Sequence, residues 1–246
     1  MNTIKTVGII GYGRFGHLLE ALFKKIRPSI DLKIYSKSVV PDSKRFFSFE
    51  DTVKCDLVIP AVPIRAFENV IKKISKKIKL GSTVMDVCSV KAYPIKIMEK
   101  YLPQSETIIG SHPLFGPQTV LKLKNKLSGL SMVMQFVRGE KNKYIEVKNI
   151  FKSLKLEIIE MNSSDHDRNV AKSQFPAHII GNIASGINLS PRLTDTKSNE
   201  VLINFLEIVQ ADRELLIDMY RYNQYCKKEL QKIETSFGQV IKTLKY

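Results

Sequence analysis

Long apolar runs are missing from this chain. Stretches such as Leu57 to Ile64 fall far short of the roughly 18 consecutive apolar residues that a membrane span needs, so no membrane partner is expected. Met1-Asn2-Thr3 passes straight into a strand-like run without a targeting segment, and the expected location is cytoplasmic. Cysteine is scarce as well. Cys55, Cys88 and Cys226 are odd in number and widely separated, without the CxxC or CxxxC spacing of a zinc site or the even set of a disulfide framework. Reduced thiols and no bound metal are expected. Acidic residues are outnumbered, 24 against 39 basic ones, for a formal net charge of +15. That excess suits anionic partners in general, phosphates and carboxylates included, without choosing among them. Aromatic and basic residues do not interleave as a nucleic-acid platform requires. Lysines such as Lys72-Lys73, Lys76-Lys77 and Lys227-Lys228 lie on helix-like segments, where they read as a solvated face. No nucleic-acid partner is expected.

What is present is a hydrophobic content of 43% over 246 residues, enough for one sizeable core or two ordinary domains. Short β-branched runs predict strands at Thr6 to Ile10, Leu32 to Tyr35, Leu57 to Pro60, Thr83 to Asp86, Thr107 to Gly110, Ser131 to Val137 and Leu156 to Met161. Helical patterns fill the gaps at Phe15 to Ile26, Phe67 to Ile74, Pro94 to Tyr101 and Lys143 to Leu154. After Asn162 the strands stop, and Ser163-Ser164-Asp165 is a plausible cap for a first helix that Pro176 should kink. A polar break from Asn188 to Asn199 precedes two more helical stretches ending near Leu244.

The clearest chemical signal is Gly11-Tyr12-Gly13-Arg14-Phe15-Gly16, which follows the first strand at once and opens the first helix. In such a turn the first glycine permits the tight bend, the second lets the backbone approach a pyrophosphate, and the third lets helix and strand pack closely. The helix N-terminus adds free N–H groups and a positive dipole. Strand, turn, helix and second strand in this order give the glycines a meaning they lack alone. Gly11, Gly13, Arg14, Phe15 and Gly16 are the expected contacts.

An NAD-binding version places Asp or Glu at the end of the second strand; here that position reads Tyr35-Ser36-Lys37-Ser38. Two hydroxyls and an ammonium suit a 2′-phosphate, so NADP is the expected cofactor, with Ser36, Lys37 and Ser38 around that phosphate. Arg14 either reinforces it or faces water. The predicted fold is therefore α/β: a Rossmann-type, doubly wound, mostly parallel sheet in an NADP-binding domain (residues 1–161). A smaller all-helical domain for substrate binding and dimerisation follows (residues 162–246).

Ser89 and His112 each fall just past the carboxyl end of a predicted parallel strand, where open α/β sheets gather ligands. His112 lies between Gly110, Pro113 and Gly116, a stiff loop for the side chain whose proton equilibrium is closest to neutral pH. A general base is its natural role, with a hydrogen-bonded structural residue as the alternative. Beyond residue 162, Asp167, Ala171, Gln174 and His178 are spaced i, i+4, i+7 and i+11, one stripe of a helix. A polar stripe fits a helix lining a cleft between domains, or a solvated face. His166 points elsewhere and reads as capping or structural.

Four stretches, in order and spacing, resemble the prephenate/arogenate dehydrogenase family: Asp86-Val87-Cys88-Ser89-Val90-Lys91; Gly110-Ser111-His112-Pro113-Leu114-Phe115-Gly116-Pro117; Asp165-His166-Asp167-Arg168 with Ser173-Gln174-Phe175-Pro176-Ala177-His178; and Asp218-Met219-Tyr220-Arg221-Tyr222-Asn223. The last is similar to the tail of the plant-type arogenate branch, so the resemblance covers nearly the whole chain. It implies oxidative decarboxylation of a cyclohexadienol, prephenate or arogenate, on the way to tyrosine. Catalytic roles fall to His112 as base and Ser89 as its hydrogen-bonding partner, and substrate contacts to His178 and Gln174. Many family members clamp a substrate carboxylate with an arginine on a later loop; here the region reads Pro191-Arg192-Leu193-Thr194-Asp195-Thr196-Lys197. Lys197 matches the plant-type pattern and is carried as the anion contact, with Arg192 as the alternative.

Two rival readings remain. Another small NADP oxidoreductase, of the imine-reductase or β-hydroxyacid type, accounts for the glycines but not for Ser89, His112 and His178 together. A regulator that senses NADP without turning it over has no use for a base beside the nicotinamide. Finally, the helical stretches of residues 162–246 cannot readily enclose their own apolar faces, so a homodimer is expected, with Phe205, Leu206, Val209 and Leu216 as candidates for the shared surface.

Overall fold

The computed structural model describes residues 4–26, 29–124, 126–209 and 212–245; Met1-Asn2-Thr3, read above as a start without a targeting segment, lie outside them. The chain divides into two compact units, Met1–Ser163 and Ser164–Tyr246.

The first unit contains β1 (Thr6–Ile10), α1 (Arg14–Ile26), β2 (Asp31–Tyr35), α2 (Phe49–Val53), β3 (Leu57–Pro60), α3 (Ile64–Ile74), β4 (Thr83–Met85), α4 (Ala92–Tyr101), β5 (Thr107–Pro113), α5 (Pro117–Lys122), β6 (Ser131–Arg138), α6 (Lys141–Lys152) and β7 (Glu157–Glu160). The strands form one seven-stranded sheet in the order β2-β1-β3-β4-β5-β6-β7. Every neighbouring pair is parallel except β5 with β6. Val7, Ile9, Leu57, Val58, Ile59, Val84, Met85, Ile108 and Ile109 are all fully buried. Strands covered on both faces read as continuous apolar runs instead of alternating ones, and these do. Leu18, Leu19, Leu22 and Phe23 of α1 are buried against the sheet, and the Phe23 ring meets Phe151 of α6 edge-on at 5.9 Å. The doubly wound, mostly parallel sheet is the one expected. Because β2 lies on one side of β1 and β3 on the other, the winding reverses at the carboxyl end of β1, the place where such sheets hold ligands.

The second unit is helical: α7 (Ser163–Lys172), α8 (Gln174–Gly186), α9 (Lys197–Val209), α10 (Arg213–Tyr222) and α11 (Cys226–Leu244). Asn223, fully buried, ties it together. Its Nδ2 donates to the Asp167 carbonyl at 2.7 Å, and its Oδ1 accepts from the Tyr225 N–H at 3.0 Å. The Phe175 and Tyr220 rings stack at 6.3 Å. No described helix is long and apolar enough to cross a membrane.

Three differences from the sequence reading bear on the site. The pattern predicts that β5 ends at Gly110, leaving Ser111 and His112 on a loop; in the structure both lie within β5, opposite Met134 and Val133 of β6. Strand–helix alternation signals parallel neighbours, and β6 is an antiparallel one, so its ladder extends β5 further than the alternation suggests. The single kinked helix after residue 162 is instead two helices, with Ser173 between them at φ −123° and ψ −73°. Pro176 then sits in the first turn of α8, where a missing N–H is one of the groups a helix leaves unbonded anyway. Asp167 and Ala171 thus belong to α7, and Gln174 and His178 to α8. Three helices, not two, follow the polar break, and Lys197 opens α9 instead of lying on the preceding loop.

Candidate cofactor and active site

The glycine turn has the geometry a dinucleotide requires. Gly11 adopts φ +103°, a conformation L side chains rarely adopt, and a Cβ there would lie 2.4 Å from the Ala61 carbonyl oxygen. A Cβ on Gly16 would lie 2.3 Å from the Gly11 carbonyl oxygen, so helix and turn meet at a distance only glycine allows. At Gly13 a Cβ would meet nothing, which leaves the backbone face open to an approaching phosphate. The turn is held by the Gly11 N–H donating to Tyr35 O at 2.9 Å and by the Ala61 N–H donating to Ile10 O at 2.8 Å. It therefore touches the ends of both β2 and β3. Arg14 is exposed and Phe15 half-buried at the start of α1, and the positive end of a helix favours an anion. These residues fit a dinucleotide.

Just past β2, Ser36 is nearly buried while Lys37 and Ser38 are exposed. The Ser36 and Ser38 hydroxyls lie 3.1 Å apart, and the Ser38 N–H points at Ser36 Oγ at 3.4 Å. Two hydroxyls thus meet at the edge of the turn, with the exposed Lys37 between them in the chain and no Asp or Glu at the end of β2.

The ends of β4 and β5 are joined by one carboxylate. Asp86, fully buried, accepts from the Ser111 N–H through Oδ1 and from the Cys88 N–H through Oδ2, each at 3.0 Å. Its Oδ2 also receives the Lys91 ammonium, which donates to the Ser111 carbonyl as well. Ser111 Oγ returns a hydrogen bond to the Asp86 carbonyl. Burial pushes the Asp86 carboxyl up, opposed by the Lys91 ammonium and the two N–H groups. Cys88 and Ser111 are the residues immediately before Ser89 and His112. A single buried ion pair therefore sets the backbone at both proposed catalytic positions. His112 is 3% exposed, whereas Ser89 is half-buried. Asp86 and Lys91 lie inside a motif already singled out, but nothing in their five-residue spacing says that both are buried.

In the second unit, His178 on α8 is buried and its Nδ1 has no hydrogen-bond partner. Burial pushes its imidazole below the usual histidine range, with Asp212 opposing, so the ring is neutral near pH 7. Gln174 is half-buried one turn earlier. Asp167 binds His166 Nδ1 at 2.8 Å, both buried, which makes His166 a structural residue of α7. Lys197 has an 87% exposed side chain and pairs with Glu200 at 2.5 Å. Arg192 is exposed, its N–H donating to the Asp195 carboxylate at 2.9 Å.

An open sheet whose winding reverses at a glycine turn, with the ends of β4 and β5 braced by one buried acid farther along the same carboxyl edge, defines a nucleotide-binding dehydrogenase domain. Residues 42–157 match the family described as "Prephenate dehydrogenase, nucleotide-binding domain". The chain is 28% identical to "Arogenate dehydrogenase 2, chloroplastic" of Arabidopsis thaliana, over 97% of this chain and 69% of that protein. It is 27% identical to "Arogenate dehydrogenase 1, chloroplastic" of the same plant, over 94% of this chain but 38% of that longer protein. In fold it is similar to the prephenate dehydrogenase from A. aeolicus crystallised with hydroxyphenyl propionate and NAD+, with a TM-score of 0.74 at 19% identity, over 99% of this chain and 91% of that one. Over nearly its whole length this chain is thus similar to arogenate and prephenate dehydrogenases.

Proposed function

We propose that the chain oxidises and decarboxylates a cyclohexadienol, prephenate or arogenate, with NADP+ as the hydride acceptor. The observation that carries this reading is the Asp86 carboxylate, which anchors the residues before both Ser89 and His112 at adjacent strand ends. In this reading His112 takes the proton of the hydroxyl on ring carbon 4 while hydride leaves that carbon, and Ser89 hydrogen-bonds the same hydroxyl. The oxidised nicotinamide, when bound, supplies the hydride acceptor. The ketone formed is conjugated with the carbon bearing the ring carboxylate, so carbon dioxide departs and the ring becomes aromatic. His178, neutral and with an unsatisfied nitrogen, holds the substrate together with Gln174; a buried polar atom left without a partner costs about 1–3 kcal/mol, which a bound ligand recovers. Lys197 is the proposed anion contact, since its ammonium lies on the exposed first turn of α9.

The test offers prephenate and arogenate with NADP+ and NAD+ in all four pairings and follows nicotinamide reduction. Turnover of neither cyclohexadienol overturns the proposal and leaves the two rival readings. With Ser36, Lys37 and Ser38 around the 2′-phosphate, kcat/KM should favour NADP+ by roughly 10- to 1,000-fold. Ser36→Asp should narrow or reverse that ratio, by repelling the phosphate and offering the ribose hydroxyls an acceptor. A parent ratio below one refutes the NADP assignment.

We also propose a homodimer formed through the second unit. Phe205, Leu206, Val209 and Leu216 are only partly buried, and α9 buries none of its residues. On α11, Phe237, Val240, Ile241 and Leu244 are exposed at i, i+3, i+4 and i+7, one apolar face of a helix. Sedimentation at micromolar concentration should give a species of about twice the 28.1 kDa chain; monomer alone refutes the dimer.

A further inference from the structure

The loop after β2 carries a cation that the cofactor reading above does not use. Arg45 lies beside Ile34 of β2, its carbonyl accepting from the Ile34 N–H at 3.2 Å, and the next pairing returns from the Phe47 N–H to Ile34 O at 2.9 Å. Asp42 Oδ1 accepts from the N–H groups of Lys44, Arg45 and Phe46 at 2.9, 2.8 and 2.8 Å, so the loop is fixed by its own backbone. From this rigid base the guanidinium reaches back to the glycine turn. Nε and Nη2 bind the two oxygens of Glu20 on α1, each at 2.8 Å, and Nη2 also donates to the Tyr12 hydroxyl, which in turn donates to Glu20. Tyr12 is the residue between Gly11 and Gly13, its ring tilted by 31° against His17 at 3.7 Å and edge-on to Phe46 at 5.1 Å.

Two features distinguish this arrangement from a simple tether. Glu20 is buried, while the Arg45 side chain is 47% exposed, so the surface presents the guanidinium and not the carboxylate. The bonds to Glu20 and Tyr12 employ Nε and Nη2, leaving both N–H groups of Nη1 without a hydrogen bond among the described residues. A guanidinium pinned on one edge and open on the other is a pre-organised fork for a phosphate. Tyr35 O, bonded to the Gly11 N–H, and Ser36, next along the chain, place the phosphate-suited hydroxyls at the same turn.

We infer that Arg45, held by Glu20 and Tyr12, is a further specificity residue that binds the 2′-phosphate of NADP through its outer edge. The inference rests on the NADP reading, and the experiment separates the two. Equilibrium affinities for NADP+, NAD+, 2′,5′-ADP and 5′-AMP are measured on the parent, Arg45→Met and Arg45→Lys. In the parent, the ratio of 2′,5′-ADP to 5′-AMP affinity reports the cofactor choice alone; a ratio near one removes the NADP reading and this inference with it. If the parent prefers the phosphorylated ligands, Arg45→Met should weaken NADP+ and 2′,5′-ADP by roughly 10- to 100-fold and leave NAD+ and 5′-AMP within about threefold. Arg45→Lys, which keeps the charge but not the fork, should fall between and guards against a folding defect in the methionine variant. Equal losses for all four ligands would mean that Arg45 merely shapes the glycine turn, and no loss for any would mean that it does not reach the phosphate; either overturns the inference while the NADP assignment stands.

Discussion

Replacing His112 by alanine or asparagine should lower turnover by roughly 10²- to 10⁴-fold, the usual contribution of a positioned general base, with NADP+ affinity changed by less than about threefold. The separation of the two effects follows from the fold. His112 lies in β5, whereas the glycine turn that would hold the cofactor follows β1 and touches β2 and β3. Removing an imidazole from β5 therefore leaves the turn's own hydrogen bonds intact. His112 is 3% exposed and its backbone is paired to Val133 on one side and held through Ser111 on the other, so the ring has a fixed origin, as an effective base requires. Ser89→Ala should cost less, because it removes a hydrogen bond and not the proton acceptor. Steady-state and single-turnover rates with a saturating cyclohexadienol read the effect. Near-normal turnover in His112→Ala would mean that another group takes the proton.

The parts of this molecule that were legible in its sequence are those encoded locally. The glycine turn was readable because strand, turn and helix are contiguous, and the sheet was readable because its central strands are uninterrupted apolar runs. The direction of β6 was not readable, since periodicity records which residues face a core and says nothing of which way the strand runs. That one reversal extends β5 across Ser111 and His112 and moves the proposed base from a loop into a ladder. Pro176 announced a disturbance, but whether a helix kinks around a proline or restarts before it depends on packing; here it restarts after Ser173. Arg45 was invisible for a different reason. Its partner Glu20 is 25 residues away, and the loop between β2 and α2 has no periodic pattern to mark it. Asp86 and Lys91 stood within a quoted motif, yet their burial, and so their importance, appears only once β4 and β5 are side by side.

That buried pair should give the largest stability effect in the chain. Lys91→Met leaves the Asp86 carboxylate, 0% exposed, with two backbone N–H donors and no counter-charge. Breaking a buried pair from one side costs about 3–5 kcal/mol, because the remaining charge has been stripped of both water and partner. The defect should depend on pH in a defined direction. Without the ammonium that opposes burial, the folded-state pKa of Asp86 rises further above its unfolded value of about 3.9. The folded state then binds more protons than the unfolded one, so stability falls as pH rises and the deficit is smallest below about pH 4. Adding Asp86→Asn to Lys91→Met removes the stranded charge while keeping one amide oxygen for a backbone N–H, so the double variant should regain more than about half of the lost stability at neutral pH. Turnover should not return with it. One of the two N–H groups before Ser89 and His112 loses its acceptor, and a displacement of even ~1 Å at a reacting group costs on the order of 10²-fold. Urea midpoints across pH, set beside kcat for the single and double variants, measure both halves. A Lys91→Met loss under about 1 kcal/mol would show that the pair does not brace the site, and a double variant with parental kcat would show that Asp86 does not position Ser89 and His112.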